Sequence, residues 1–324
     1  MSTTLDPASD SNLDQRTTDA ASDRLKQNFA ACRVKFKWLG TSKTLSAVQK
    51  TQAAESFGAD GESISAGKKL IDTKHEAYRA LTSLKSQVTR FWKDNSLPYP
   101  ESGIRLMKQS QIEAFNDQLE DYRAQLEASV RLFADQFLDI QEAARDRLGS
   151  LYDASDYPSS LEDEFAVDWD FPTVEPPDYL RRLHPDVYEQ QARRVSERFE
   201  QAVELAEQAF TEEFSQLVEH LANRLAGDES GRPRIFRDTA VSNMADFFAK
   251  FRSLNISSSE QLDQLVVRCE QLMDGVEPRA LRSDEALRRR LSTSLSTVQS
   301  SLDQMMVDRP RRNILRPASQ NEAD

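Results

Sequence analysis

The chain has 324 residues, of which 38% are hydrophobic and 30% charged, with 9 glycines and a formal net charge of −12. This balance favours long exposed helices over a glycine-rich sheet domain, and the negative charge argues against nonspecific DNA binding by the whole surface. No apolar run reaches the about 18 residues that a membrane helix needs, and the N-terminal residues lack the apolar core of a secretory signal.

These totals indicate a cytoplasmic protein that does not enter a membrane. Residues 1–23 are rich in Ser, Thr, Asp and Ala and are predicted to be a disordered tail. Cys32 and Cys269 lie far apart and belong to no CxxC pair, so we expect two reduced, partly buried thiols.

The next region, residues 24–103, is predicted to be helical. A helix over Asp23–Lys50 would place apolar residues on one face, and residues 51–67 look like a linker. A stronger helix is predicted over Ala66–Trp92, where apolar residues recur every three or four positions. Residues 95–103 contain two prolines and a glycine, which should end that helix. The face predicted for the first helix contains Leu25, Phe29, Cys32, Phe36 and Leu39.

Two long amphipathic helices dominate the predicted domain at residues 104–230. The first runs from Ser110 to Leu148, with Ser110 and Glu113 as a capping box and apolar positions about 3.6 residues apart. The second begins at Pro185 and runs to Leu225. Because their lengths and apolar stripes match, they should pair. The predicted fold class is all-α, a long antiparallel helical hairpin (coiled-coil-like) with a flanking helical bundle.

A C-terminal helical region is predicted over residues 231–308, followed by a disordered basic tail at residues 309–324. Charge is unevenly spread along the chain. Residues 113–229 contain 29 acidic and 10 basic residues, whereas residues 66–93 and 279–316 each carry a net charge of +5. The basic segments could pack beside the acidic hairpin, or they could bind nucleic acid. The nucleic-acid candidates are Arg288, Arg289, Arg290, Arg311 and Arg312.

The connector between the long helices, residues 149–184, is far longer than the usual about 2–8 residues. It is acidic and rich in aromatic residues and prolines. Such a segment can cap the end of the hairpin, or it can dock a protein partner, since aromatic residues anchor interfaces. The candidate partner-binding residues are Tyr152, Asp156, Tyr157, Pro158, Phe165, Trp169 and Phe171.

No motif indicates catalysis. The segment Gly61–Lys69 has the wrong glycine spacing for a phosphate loop, and the three histidines lack metal-ligand spacing. Asp168 and Asp170 would share one face of an extended segment, but they belong to a generally acidic stretch. We therefore predict no enzymatic activity, no catalytic residue, no cofactor and no metal.

Several segments resemble a domain family of unknown function found in bacteria and their phages. They are residues 148–158 (LGSLYDASDYP), Phe165, residues 171–177, residues 102–106 (SGIRL), residues 236–243 (FRDTAVSN) and residues 254–256. The likeness spans about residues 67–275. Members are often encoded beside an AAA+ ATPase of the MoxR or cobalt-chelatase type and a von Willebrand A-domain protein. The resemblance implies a partner and no catalytic residue.

Together these observations predict a non-enzymatic helical adaptor or scaffold of a phage or mobile-element system. The resemblance implies that the protein partner is an AAA+ ATPase. The alternative is a nucleic-acid-binding protein of phage or mobile-element DNA metabolism. An apolar stripe left exposed would also allow a homo-oligomer, held together as an intermolecular bundle.

Overall fold

The computed structural model describes residues 7–226 and 239–308. The chain divides into two compact units. One, the sheet unit, comprises residues 24–199. The other, the helical unit, comprises residues 7–23, 200–226 and 239–308 among those described. Among all the described residues, no helix has an apolar stretch long enough to span a bilayer.

The sheet unit combines strands with helices. Its strands are β1 (Phe29–Lys37), β2 (Ser42–Thr44), β3 (Gly67–Lys69), β4 (Leu97–Pro98), β5 (Arg105–Lys108) and β6 (Ala166–Asp170). Its helices are the end of α1 (Pro7–Asn28), α2 (Ala47–Glu55), α3 (Glu76–Asp94), α4 (Ile112–Asp135), α5 (Phe137–Leu148), α6 (Asp178–Leu183) and the start of α7 (Pro185–Ala226).

A four-stranded antiparallel sheet in the order β4-β5-β1-β6 organises this unit, and β2 pairs with β3 in a separate two-stranded sheet. Strand β1 alternates the apolar Cys32 and Val34 with the charged Arg33 and Lys35, as the pleat of a half-buried strand requires. The turn from β4 to β5 contains Gly103, whose φ of +78° favours glycine.

The predicted all-α fold class is therefore wrong, because the fold mixes helices with these two sheets. The predicted helix over Asp23–Lys50 shows why. Its apolar residues at 29, 32 and 36 fit a helical spacing of three or four. Cys32, Val34 and Phe36 also alternate with charged residues, and this period of two is the one the chain adopts in β1.

The predicted hairpin is also wrong, although the apolar stripe of its first helix is buried. Residues Phe115, Leu119 and Phe133 of α4 belong to one core cluster with α3 and the sheet. The first helix is divided at Gln136 into α4 and α5. Ser110 does not cap it, because the residue at the cap is Gln111, which makes no side-chain capping bond. Helix α5 ends at Leu148, the predicted end of the first long helix, and Gly149 follows with a φ of +53°.

The helical unit buries the later stripe of α7 against α8 (Thr239–Leu254). Phe214 stacks on Phe247 with ring centroids 5.0 Å apart, and Phe210 meets Phe251 edge-on, also at 5.0 Å. Helices α9 (Glu260–Met273), α10 (Pro278–Ser283) and α11 (Glu285–Asp308) complete this unit. The apolar stripes of α4 and α7 thus pack on different partners. The periodicity of the sequence shows which face of a helix is buried, but it does not show which element covers that face.

Residues 7–23, within the predicted disordered tail, lie in α1. The predicted basic tail at residues 309–324 falls outside the described residues, and so do residues 227–238 at the predicted boundary of the hairpin domain.

Candidate functional site

A buried ion-pair cluster fixes the first part of the connector. The Asp156 side chain is 2% exposed and lies 2.5 Å from the Nζ atoms of both Lys43 and Lys68. Lys68 also donates a hydrogen bond to the carbonyl of Leu151 at 2.7 Å. Lys43 lies in β2 and Lys68 in β3, so the cluster ties the connector to this small sheet.

Local backbone structure presents Asp156 to the two lysines. A 3₁₀ turn spans Ala154–Asp156, and the Asp153 carboxylate caps it by accepting the Ser155 N–H at 2.9 Å. The hydrogen bond from Lys43, and then the one from Lys68, lowers the pKa of Asp156 below its usual value. The carboxylate is therefore ionised at neutral pH. Because each of its oxygens contacts a lysine, Asp156 holds this part of the connector against β2 and β3.

The aromatic residues of the same segment point inward. Tyr157 is buried, stacks on the half-buried Tyr152 at 5.5 Å, and donates from its hydroxyl to the carbonyl of Leu70 at 3.1 Å. Phe165 is 5% exposed and meets Trp38 edge-on at 5.1 Å. Pro158 is half-buried. These predicted partner-binding residues therefore serve the core of the sheet unit in this structure.

Trp169 lies closer to the surface, on β6. Its Nε1 donates to the Asn116 side chain at 2.7 Å, and the Arg123 guanidinium sits 4.3 Å from the centre of its ring. Arg123 also approaches the Asp168 carboxylate at 3.7 Å. Trp169 is thus half-buried between α4 and solvent, where an aromatic side chain can anchor a partner.

Basic side chains compensate the paired carboxylates of β6. Arg33 donates two hydrogen bonds to Asp170, at 2.9 and 2.5 Å, and Lys35 approaches the same carboxylate at 3.3 Å. The bonds from Arg33 are the main reason why the pKa of Asp170 falls to about 2. In the described residues no group of three or more His, Cys, Asp or Glu side chains is placed to hold a metal ion.

Replacing Arg33 with glutamine is expected to raise the pKa of Asp170 from about 2 towards its ordinary 3.8. The pKa rises because the two hydrogen bonds that the guanidinium donates to the ionised carboxylate are lost. Carboxyl-carbon NMR titration measures this pKa directly. Lys35→Gln is the matched control and should shift it less. A larger shift in the Lys35 variant would contradict the assignment.

Beyond β6 the chain carries an exposed apolar segment, defined as residues 171–187. From Asp168 to Arg198 no side chain is buried. Four large apolar residues of the segment are substantially exposed: Phe171 (36%), Tyr179 (56%), Leu183 (68%) and Val187 (42%). Of these, only Phe171 is among the predicted partner-binding residues. The four-residue spacing of Tyr179, Leu183 and Val187 is a sequence signal that could have identified the others.

The candidate nucleic-acid arginines differ in the contacts that they make. Arg288 donates to the carbonyls of Leu281 and Arg282, both at 3.0 Å, and so closes the end of α10. Arg289 pairs with Glu285 one turn earlier in α11. Arg290 is exposed. Arg311 and Arg312 lie outside the described residues.

No family model, curated protein or solved structure matches this chain. The resemblance seen in its motifs stays an expectation.

Proposed function

We propose that this chain is a non-enzymatic adaptor that holds a protein partner through the exposed apolar segment. The observation that carries the proposal is the exposure of Phe171, Tyr179, Leu183 and Val187, between 36% and 68%, within 17 consecutive residues. Leaving apolar surface in water forgoes about 25 cal/mol for each Å² that could be buried. A partner that covers these side chains recovers this free energy, and clustered exposed apolar residues often mark such interfaces.

The helical state of this segment supports the proposal. Helix α6 has six residues, and the first 14 residues of α7, Pro185–Arg198, bury no side chain. A helix as short as α6 is marginal in water by itself, and most helices in proteins are stabilised by packing of an apolar face, which the start of α7 lacks. A partner would supply packing that the described chain does not.

The partner proposed first is an AAA+ ATPase of the MoxR or cobalt-chelatase type, in a phage or mobile-element system. This choice comes from the resemblance of residues 148–158 and 171–177 to a family whose members are often encoded beside such an ATPase. The chemistry of the exposed apolar segment requires only a partner with a complementary apolar surface.

The double substitution Tyr179→Ser with Leu183→Ser is expected to weaken binding of such an ATPase about tenfold or more, because it removes two exposed anchors. Isothermal calorimetry with the purified ATPase from the same organism measures the effect. The matched control is Leu138→Ser, on α5 of the same unit, where the leucine is 73% exposed. Equal losses in both variants would contradict the surface, and no binding by the unaltered protein would contradict the partner.

Contacts of the candidate arginines argue against the nucleic-acid alternative. Arg288 is engaged within the chain, and Arg289 pairs with Glu285 although its side chain is 80% exposed. Arg290 is thus the cation of that run without such a contact among the described residues. A single unpaired arginine neutralises little phosphate charge. Salt-independent or absent binding to single- and double-stranded DNA is the expected result in a fluorescence-anisotropy titration.

A further inference from the structure

We infer that β6 is an open sheet edge that accepts a basic, extended peptide segment of a protein partner as a fifth strand. The inference rests on the proposed function, because it names the kind of segment that a partner would contribute. It concerns a different surface from the exposed apolar segment, so the two can be tested separately.

The two edges of the sheet differ in how they are protected. Strand β4 forms one edge, with only two residues, of which Pro98 lacks an N–H group. Strand β6 forms the other edge, with five residues and no proline. Short strands and prolines are ordinary means of closing a sheet edge. By these criteria β4 is closed and β6 is open.

The outer side of β6 has unpaired backbone groups. In an antiparallel pair, alternate residues direct their N–H and C=O groups away from the neighbouring strand. β6 pairs with β1 along its whole length, Ala166 opposite Lys37 and Asp170 opposite Arg33. Within the described ranges no hydrogen bond from an element other than β1 reaches the backbone of β6. These groups are available to an added strand.

The acidic residues around β6 indicate which kind of partner segment can pair with it. Residues 162–180 contain seven acidic residues and no basic residue, and β6 lies in the middle of them. The Asp168 side chain is 71% exposed. A nucleic acid would be repelled by this stretch. A second copy paired antiparallel through β6 would place Asp168 near its own counterpart, which is unfavourable. A lysine- or arginine-rich strand is the complementary partner.

The side chains of β6 define a pattern for that strand. Val167 and Trp169 face the core side of the sheet, whereas Asp168 faces the other side. Alternating apolar and basic residues in the partner would therefore meet Trp169 and Asp168 in turn. Arg123 contacts both the Trp169 ring and the Asp168 carboxylate, so its side chain lies across the edge. A basic residue of the partner would replace it at Asp168.

The test uses the full-length protein and a fluorescein-labelled nine-residue peptide of alternating lysine and valine. Two further peptides carry N-methyl groups, one on every lysine and one on every valine. In an added strand only alternate residues donate to β6. One methylated peptide should therefore bind about tenfold or more weakly, and the other should bind like the parent.

Variants of the protein sharpen the test. Asp168→Asn should weaken the parent peptide several-fold, whereas Asp163→Asn, which changes the net charge equally outside β6, should not. Arg123→Ala should strengthen binding, because the side chain across the edge is gone. Hydrogen–deuterium exchange of the peptide-bound protein should show slower exchange in residues 164–171.

Equal binding of both methylated peptides would show adhesion by charge alone and overturn the inference. So would equal effects of the Asp168 and Asp163 substitutions, or no binding of the parent peptide. None of these results affects the proposed function, which fails only if the Tyr179 and Leu183 substitutions leave partner binding unchanged.

Discussion

Replacing Phe133 with alanine is expected to lower the free energy of unfolding of the sheet unit by about 3–5 kcal/mol. The side chain is 0% exposed and lies where α4 meets the rest of the core. Its ring is 6.0 Å from that of Tyr78, 5.7 Å from that of Phe137 and 5.9 Å from that of Phe165. Truncation would therefore leave a cavity between α3, α5 and the connector.

The control for this substitution is its neighbour in α4. Leu132 is 62% exposed, so Leu132→Ala should change stability by less than about 0.5 kcal/mol. The chain has three tryptophans, Trp38, Trp92 and Trp169, and all lie in the sheet unit. Guanidinium unfolding followed by tryptophan fluorescence therefore reports this unit. Similar losses for the two variants would contradict the placement of Phe133 in the core.

The contrast between Phe133 and Leu132 also shows what the sequence could predict. The apolar spacing of the first long helix predicts a buried face, and the residues of α4 that carry this spacing are buried, because such spacing reports burial directly: Phe115, Leu119, Leu126, Val130 and Phe133. What covers that face is decided by residues far away in the chain. The length match between two predicted helices was too weak a reason to pair them, and α4 packs on α3 and the sheet instead.

The strands were missed for a related reason. β2 and β4 have three and two residues, too few to show a period. β1 is longer, but its spacing at Phe29, Cys32 and Phe36 also fits a helix. Short apolar runs are ambiguous between helix and strand until tertiary pairing resolves them. Here β5 and β6 provide that pairing from positions about 75 and 135 residues away.

The candidate site was predicted in part. The aromatic density of the connector signalled a segment that does not stay solvated, and Phe165 and Tyr157 are indeed in the core. Nothing in the sequence could assign Lys43 and Lys68 to Asp156, since they are separated from it by 113 and 88 residues. The exposed apolar segment crosses the predicted boundary between the connector and the second long helix, so neither predicted element contains all of it.

Asp156→Ala is expected to destabilise the sheet unit by about 3–5 kcal/mol, the usual cost of breaking a buried ion pair. The Lys68 side chain is only 5% exposed, and with Asp156 absent its ammonium group would keep a single carbonyl partner at Leu151. Lys43→Ala is the control. That side chain is 56% exposed, so its loss should cost much less stability than the loss of Asp156.

A second substitution separates the buried charge from simple loss of packing. Adding Lys68→Met to Asp156→Ala removes the unpaired ammonium group, and the double variant should recover part of the lost stability. Tryptophan fluorescence in guanidinium again gives the free energies. A double variant less stable than Asp156→Ala alone would mean that Lys68 contributes through contacts other than its pair with Asp156.

The same pair predicts a dependence on pH. The pKa of Asp156 is lowered in the folded state, mainly by the hydrogen bond from Lys43 and next by that from Lys68. A carboxyl of this kind contributes stability that is fully present above its unfolded pKa, about 3.9, and is lost as the pH falls through its lower folded pKa. The stability difference between the unaltered protein and Asp156→Ala should therefore be constant from pH 7 to 5 and shrink below pH 4. A difference that keeps its full size well below pH 4 would mean that folding does not lower the pKa of Asp156, and it would assign the effect to the loss of side-chain volume.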